Sequence, residues 1–280
     1  MKTIREALDM GRQALAASSD TASLDAQVLL ADVLDRPRAW ILAHTETTLT
    51  EEDLGQFEIR LDQCAFGVPL PYVLGWWEFY GRRFELTPAV LIPRPETELL
   101  VEQALEYIRA SEQAMWVADV GTGSGCIAVT LAAGAPDVKV LATDRSRDAL
   151  VVAERNATRY GLEARVKFVA ADLLWPVNQP FNLICANLPY IPTKELAQLA
   201  VGKTEPGLAL DGGEDGLEHI HALLSQLQFC LAPGGLALLE MGPDQPAKVA
   251  AKLEHDSDWL IEIIADYAGK DRLLRIRKRE

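Results

Sequence analysis

The chain has 280 residues, 49% of them apolar and 24% charged, which is ample for a packed core and long enough for two domains of unequal size. No run of about 18 apolar residues is present, so no membrane span is expected. A formal net charge of −14 opposes extensive wrapping of a phosphate backbone.

The first 75 residues read as helices. MKTIREALDMGRQAL carries an apolar stripe at Ile4, Ala7, Leu8 and Leu15. It is broken by charges every few residues, which predicts an amphipathic helix and not a secretion signal. LDAQVLLADVL (24–34) repeats the spacing, Pro37 suits the first turn of another helix, and Thr50 with Asp53 opens a helix through Leu61. This expected helical domain, 1–75, carries no catalytic constellation; His44 reads as a surface or satisfied residue. Between 76 and 95, WWEFYGRRFEL predicts a short connecting hairpin turning at Gly81, followed by an extended LIPRP entry. Pro95 then starts a helix whose first turn holds Glu96 and Glu98, at the positive end of its dipole.

From Trp116 strands and helices alternate: MWVADV, KVLATD, RVKFVAAD and FNLICAN as strands, with helices after the first two. HIHALLSQLQFCL is then a helix, and GGLALLEMG, WLIEIIADY and RLLRIRK are strands. Such alternation predicts a largely parallel sheet covered by helices, an α/β domain over 96–280. The basic tail Arg272 to Arg279 suits an edge strand with a solvated face. The four cysteines are scattered, with no CxxC pair or nearby histidine cluster; they read as small core residues, in a reducing cytoplasm, with no metal site.

Three acids end three successive strands beside a glycine loop. Asp119 precedes Gly121-Thr122-Gly123-Ser124-Gly125, whose glycines let backbone approach a ligand. A dinucleotide fingerprint would place glycine at Cys126, and an acid at Asp119 suits a cationic ligand better than a pyrophosphate. Asp144 can accept both hydroxyls of a ribose, and Asp172 an adenine amino group. The fourth strand runs into Asn187-Leu188-Pro189-Tyr190. An amide or aromatic-amine nitrogen is a poor nucleophile, and two acceptors, the Asn187 side-chain carbonyl and the Leu188 backbone carbonyl, would hold its N–H groups. Pro189 stiffens the turn and Tyr190 offers a flat face, so catalysis is by positioning. S-adenosylmethionine fits the acids; the residues alone leave amide and amine acceptors both open.

SLDAQVLLADVLDRPRAWILAH, YVLGWWEFYGRRFEL, LIPRPETE, DVGTGSG, TEPGLALDGGEDGLEHI and DYAGKDRLLRIRK carry a closer likeness. Over nearly the whole chain they resemble the protein-(glutamine-N5) methyltransferases that modify class-I peptide chain release factors. The resemblance implies a small N-terminal helical domain, which would dock the substrate, and a seven-stranded Rossmann-like methyltransferase domain. It implies that Gly121 to Gly125, Asp144 and the Asp172–Leu173 turn contact S-adenosylmethionine, and that Asn187 to Tyr190 hold the acceptor glutamine. The expected partner is the release factor, without direct nucleic-acid or membrane contact, for a monomeric cytoplasmic enzyme. One departure is Leu188, where the family usually has proline; leucine keeps the backbone carbonyl, so activity is expected to survive. Asn-Leu-Pro-Tyr also resembles the motif of ribosomal-RNA adenine dimethyltransferases.

Overall fold

A computed structural model describes residues 2–111, 113–177, 179–253 and 256–279, in two compact units that divide at Trp76/Trp77. The first unit is helical: α1 (Ile4–Leu15), α2 (Ala22–Val33), α3 (Arg38–Ala43), α4 (Glu51–Ala65) and α5 (Leu70–Leu74). Thr3 and Glu6 form a reciprocal capping box on α1. Ile4, Ala7, Leu15, Leu29, Leu30, Phe57 and Leu61 are buried between α1, α2 and α4. Gly11 permits the close approach: a Cβ there would lie 2.8 Å from the Ala26 Cβ. Thr50 caps α4 by accepting from the Asp53 backbone N–H at 3.0 Å. This helix runs past the expected Leu61 to Ala65, because nothing in Asp62–Ala65 breaks it. It yields only before Gly67, whose φ is +92°.

At the division lies the hairpin β1 (Trp76–Phe79) and β2 (Arg82–Glu85), turning on Tyr80 and Gly81, both at positive φ (51° and 68°). The helix α6 (Glu96–Arg109) leads into alternating elements: β3 (Met115–Val120), α7 (Cys126–Gly134), β4 (Val138–Asp144), α8 (Arg147–Arg159), β5 (Val166–Ala170) and β6 (Phe181–Asn187). Short helical turns α9 (Thr193–Leu196) and α10 (Val201–Thr204) precede α11 (Glu218–Cys230), β7 (Leu231–Glu240), α12 (Gln245–Leu253), β8 (Trp259–Ala265) and β9 (Asp271–Lys278).

The seven strands of the main sheet run in the order β5-β4-β3-β6-β7-β9-β8, parallel except for β9, which is antiparallel to both neighbours. Alternate side chains enter two cores. Val117, Leu183, Cys185, Leu236 and Leu238 face one core, with residues of α6 and α7; Ala118, Ile184, Ala186, Ala237 and Leu239 face the other, with α11. Both faces are therefore covered, as the apolar strand sequences require. The basic tail departs from its expected place. It forms β9, between β7 and β8, and the edge belongs to β8. Leu273 is buried on one face of β9 and Leu274 and Ile276 on the other, so the strand is apolar enough for the interior despite its arginines.

The chain moves outward from β3 through β4 to β5, then returns to lay β6 on the other side of β3. This reversal opens a crevice beyond the carboxyl ends of β3 and β6, where open α/β sheets bind ligands.

Candidate active site

The glycine loop leaves β3 and turns into α7. Gly121 and Thr122 both donate backbone N–H groups to the Thr143 carbonyl at 2.9 Å, and Gly125 donates to Thr122 at 2.8 Å. Gly125 caps α7 with φ +79°, and a Cβ there would lie 3.2 Å from the Ala153 Cα. Only glycine satisfies both the left-handed backbone and that approach to α8.

Asp119 departs from its expected role as a ligand for a cationic group. It is fully buried beneath the loop, where its Oδ2 accepts from the Thr122 hydroxyl at 2.6 Å and the Ala128 N–H at 3.0 Å. It thus caps α7 from within the protein and does not line the cleft. Its other oxygen, Oδ1, has no hydrogen-bond partner. Burial pushes its pKa up to about 7, against the two hydrogen bonds that favour the charged form. Thr122 and Ser124 are buried too, so of Gly121–Gly125 only Gly121 and Gly123 line the cleft.

Asp144, the last residue of β4, does line it. Its Oδ2 accepts from the Gly123 N–H at 2.9 Å and its Oδ1 from the Ser146 N–H at 2.8 Å. A carboxylate offers about four lone-pair positions, so acceptor capacity remains for two ribose hydroxyls. Asp172 lies two residues beyond the end of β5, not at it; its side chain is 70% exposed, 3.6 Å from Arg145, and outside the cleft lining. Its neighbour Leu173, at φ +56°, lines the wall with Ala149 and Ala171.

The cleft is partly open to solvent and lined mainly by apolar groups. Its apolar wall suits a purine and Asp144 suits a ribose. Asp119 already occupies an N–H at the start of α7, the place where a dinucleotide fold takes its pyrophosphate. Arg145 is the single Arg or Lys among the lining residues. The residues therefore fit S-adenosylmethionine, which has no phosphates.

A second chamber adjoins the first. It is lined by Leu91, Arg94, Asn187, Leu188, Pro189, Tyr190, Ile191, Val201, Ala209 and Leu210. Leu91, Asn187, Leu188, Pro189 and Ala209 line both chambers, so the turn after β6 forms part of the wall between them. The Asn187 Nδ2 donates to the Thr97 Oγ1 at 2.9 Å, which turns the amide nitrogen toward α6 and leaves Oδ1 as the free acceptor. Leu188 is buried, with its Cδ2 2.9 Å from where a Cβ on Gly121 would lie.

Sequence reasoning assigned no role to the residues that hold this wall, although Thr97 and Glu205 lie within LIPRPETE and TEPGLAL. The Gln245 Nε2 donates to the backbone carbonyls of Tyr190, at 2.9 Å, and Gly216, at 3.2 Å, while its Oε1 accepts from Gly242 at 2.8 Å. Glu205 accepts from the Ile92 N–H at 3.0 Å and pairs with Arg94, joining TEPGLAL to LIPRPETE. Glu240, which ends β7, is 1% exposed and is the register partner of Asn187. Neither of its oxygens has a hydrogen bond of acceptable geometry, although the Thr97 hydroxyl and Asn187 amide are close enough to favour its ionised form. Burial dominates and pushes its pKa up to about 7; the same cause raises the Tyr190 phenol. Among the described residues no cluster of His, Cys, Asp or Glu could hold a metal ion, and no helix is long and apolar enough to cross a membrane.

Residues 6–75 match the family "PrmC N-terminal domain" and residues 95–204 the "Methyltransferase small domain". The release factor glutamine methyltransferase of Moorella thermoacetica is 43% identical, over 99% of both chains, and that of Koribacter versatilis 39%, again over 99% of both. This chain belongs to the release factor glutamine methyltransferase family. The fold recurs in the ribosomal protein L11 methylase of Lactobacillus delbrueckii, at TM-score 0.50 and 25% identity, over 67% of this chain and 81% of that one.

Two buried carboxylates give the family member an unusual pH response. Unfolded, Asp119 and Glu240 ionise near 3.8 and 4.5; folded, each holds its proton to about 7. The folded state therefore binds more protons in between. That stability is full below the unfolded values and is lost as pH rises through about 7. Hydrogen bonds hold Asp211 and Asp266 below the usual range, so their contribution is lost only at more acid pH. The melting temperature should accordingly fall between roughly pH 4.5 and 7 and level off above, and Glu240→Gln should flatten that fall. A wild-type melting temperature that stays level over this range would refute the burial argument.

Proposed function

We propose that this chain transfers a methyl group from S-adenosylmethionine to the side-chain amide nitrogen of the glutamine in the Gly-Gly-Gln motif of class-I peptide chain release factors, in support of translation termination. The observation that carries the reading is Asn187, at the wall shared by the two chambers, with its nitrogen tied to Thr97 and its carbonyl free. S-adenosylmethionine would be held by Gly121, Gly123, Asp144 and Leu173 and, when bound, would supply an electrophilic methyl group, its S–CH3 bond breaking to leave the neutral thioether while the surplus proton of the methylated nitrogen passes to water. Asn187 Oδ1 and the Leu188 carbonyl accept the two N–H groups of the acceptor amide, with Pro189 and Tyr190 shaping the turn. As positive charge builds on that nitrogen its N–H groups become stronger donors, so these acceptors bind the transition state better than the ground state. Thr122, Ser124 and Gly125 act from behind, by setting the shape of the loop.

The helical unit supplies docking area for the intact factor, since a bare tripeptide loop offers little of its own, and residues 76–95 connect the two parts. The enzyme works as a cytoplasmic monomer without membrane or direct nucleic-acid contact. The net charge of −14 supports this against an RNA amine acceptor.

Mass spectrometry of release factor incubated with the protein and labelled cofactor should show one added methyl on a single glutamine; no gain would end the reading. Asn187→Ala should lower turnover by roughly 10²-fold, as loss of one preorganised hydrogen bond does, with a much smaller change in cofactor affinity. Retention of more than about a third of turnover would exclude the amide clamp.

Asp144→Ala removes both proposed ribose acceptors, a loss of roughly 1.5–3 kcal/mol. Calorimetry should show cofactor binding at least about tenfold weaker. Circular dichroism should be unchanged, and undiminished affinity would remove Asp144 from the cofactor site. A chain lacking residues 1–76 should bind cofactor, melt cooperatively and fail to methylate intact release factor. Methylation at the full rate would rule out docking by the helical unit.

A further inference from the structure

Glu240 has no part in the transfer as just described, yet its position demands an account. It ends β7 beside Asn187, the register partner on β6, with 1% of its surface exposed and both oxygens lacking a well-formed hydrogen bond. A carboxyl group kept dry and unpartnered is costly and calls for a reason. Thr97, itself 2% exposed, accepts the Asn187 Nδ2–H through Oγ1 at 2.9 Å. A hydroxyl that accepts still has its own proton to donate, and both Thr97 and the Asn187 amide favour the charged form of Glu240.

We propose that Glu240 is a positioning residue that sets the direction of the hydrogen bonds running from Asn187 through Thr97. An ionised carboxylate can only accept. Thr97 must then donate to it, and must in turn accept from Asn187, which leaves the Asn187 carbonyl, and not its NH₂, toward the acceptor chamber. The negative end of the chain also polarises each bond in the same sense, making Asn187 Oδ1 a better acceptor. Once protonated, Glu240 can donate instead. Thr97 is then free to donate to Asn187 Oδ1, and the amide can turn its NH₂ toward the incoming N–H donors, where it repels them. This role rests on the amide-transfer reading given above.

The groups around Glu240 set the balance between the two forms. Arg272 on β9 favours the charged form, and Glu96 on α6 opposes it. Tyr190, after β6, and Cys126, on α7, both feel the Glu240 charge. Asp266, 3.5 Å from the Arg272 Nε, tempers that arginine. Because burial brings Glu240 to about 7, the change of direction falls in the neutral range. Turnover should therefore rise with pH to a plateau as Glu240 ionises.

Glu240→Gln keeps the shape but can donate as well as accept, so it no longer dictates the direction. It should lower kcat by about tenfold or more while the KM for release factor and the Kd for cofactor stay within about twofold. The rise of kcat between roughly pH 6 and 8 should flatten with it. Thr97→Val should reproduce the loss and Thr97→Ser should restore turnover, which a packing role for residue 97 would not predict. Independently of activity, the Asn187 side-chain amide proton resonances should titrate with Glu240 in the wild-type protein and not in Glu240→Gln. Wild-type kcat and pH profile in Glu240→Gln, or full turnover in Thr97→Val, would overturn the assignment. Should Glu240→Gln fail to fold, the Thr97 pair decides between the two roles. If the wild-type chain leaves the glutamine unmethylated, the functional reading fails on its own, and the Asn187 titration still decides whether Glu240 controls that side chain.

Discussion

Asp119 and Glu240, carried to the carboxyl ends of a fully covered sheet, are cut off from water, and the site is organised around that constraint. Asp119, Asn187 and Glu240 come from three adjacent strands, β3, β6 and β7. Asp119 takes the Thr122 hydroxyl and the Ala128 N–H, and in doing so ties the glycine loop to the start of α7. Asn187 donates to the Thr97 hydroxyl and loses the freedom to rotate its amide. In a dry setting each such bond is both stronger and more costly to break than at the surface, so loop and wall are held in one geometry.

The architecture was legible because its signals are periodic and local. Apolar strand runs alternating with helical stripes predict the parallel sheet, and glycines at alternate positions mark the loop after β3. The same reading could not tell an acid that faces a cleft from one sealed beneath it. Asp119 and Asp144 look alike in sequence, yet one is buried as a helix cap and the other lies open to the cleft. Placement of β9 was also illegible, since its arginines suggest a solvated edge while strand order is decided by pairing with β7 and β8. Thr97, Glu205 and Gln245 were given no role because Asn187, Ile92 and Tyr190, which they hold, lie 90, 113 and 55 residues away, and no local pattern reveals the pairing of Glu240 with Asn187. Glu240 did carry one local signal: an acid closing the apolar strand GGLALLE, the same cue that drew attention to the other three acids.

Leu188 shows how a departure from a family pattern can be absorbed. The group expected to meet the acceptor at this position is a backbone carbonyl, which any residue provides. The leucine side chain is buried and sits against Gly121, in space that a Cβ on that glycine would invade. The two positions are thus coupled: the absence of a side chain at 121 makes room for one at 188, and the same contact joins the glycine loop to the turn after β6.

Amide methylation places unusual weight on such ties. An amide nitrogen is a weak nucleophile because its lone pair is delocalised, and its N–H is too weak an acid for a side-chain base to remove before attack. What the protein can supply is two fixed acceptors and a short, reproducible approach to the methyl group. The wall between the two chambers is anchored on several sides: Gln245 holds the Tyr190 and Gly216 carbonyls, Glu205 joins Ile92 and Arg94, and Thr97 fixes Asn187. None of these anchors needs to touch the reacting atoms. Loosening any one of them would enlarge the set of orientations open to the acceptor amide. The chemistry then depends on residues whose visible function is to keep other residues still.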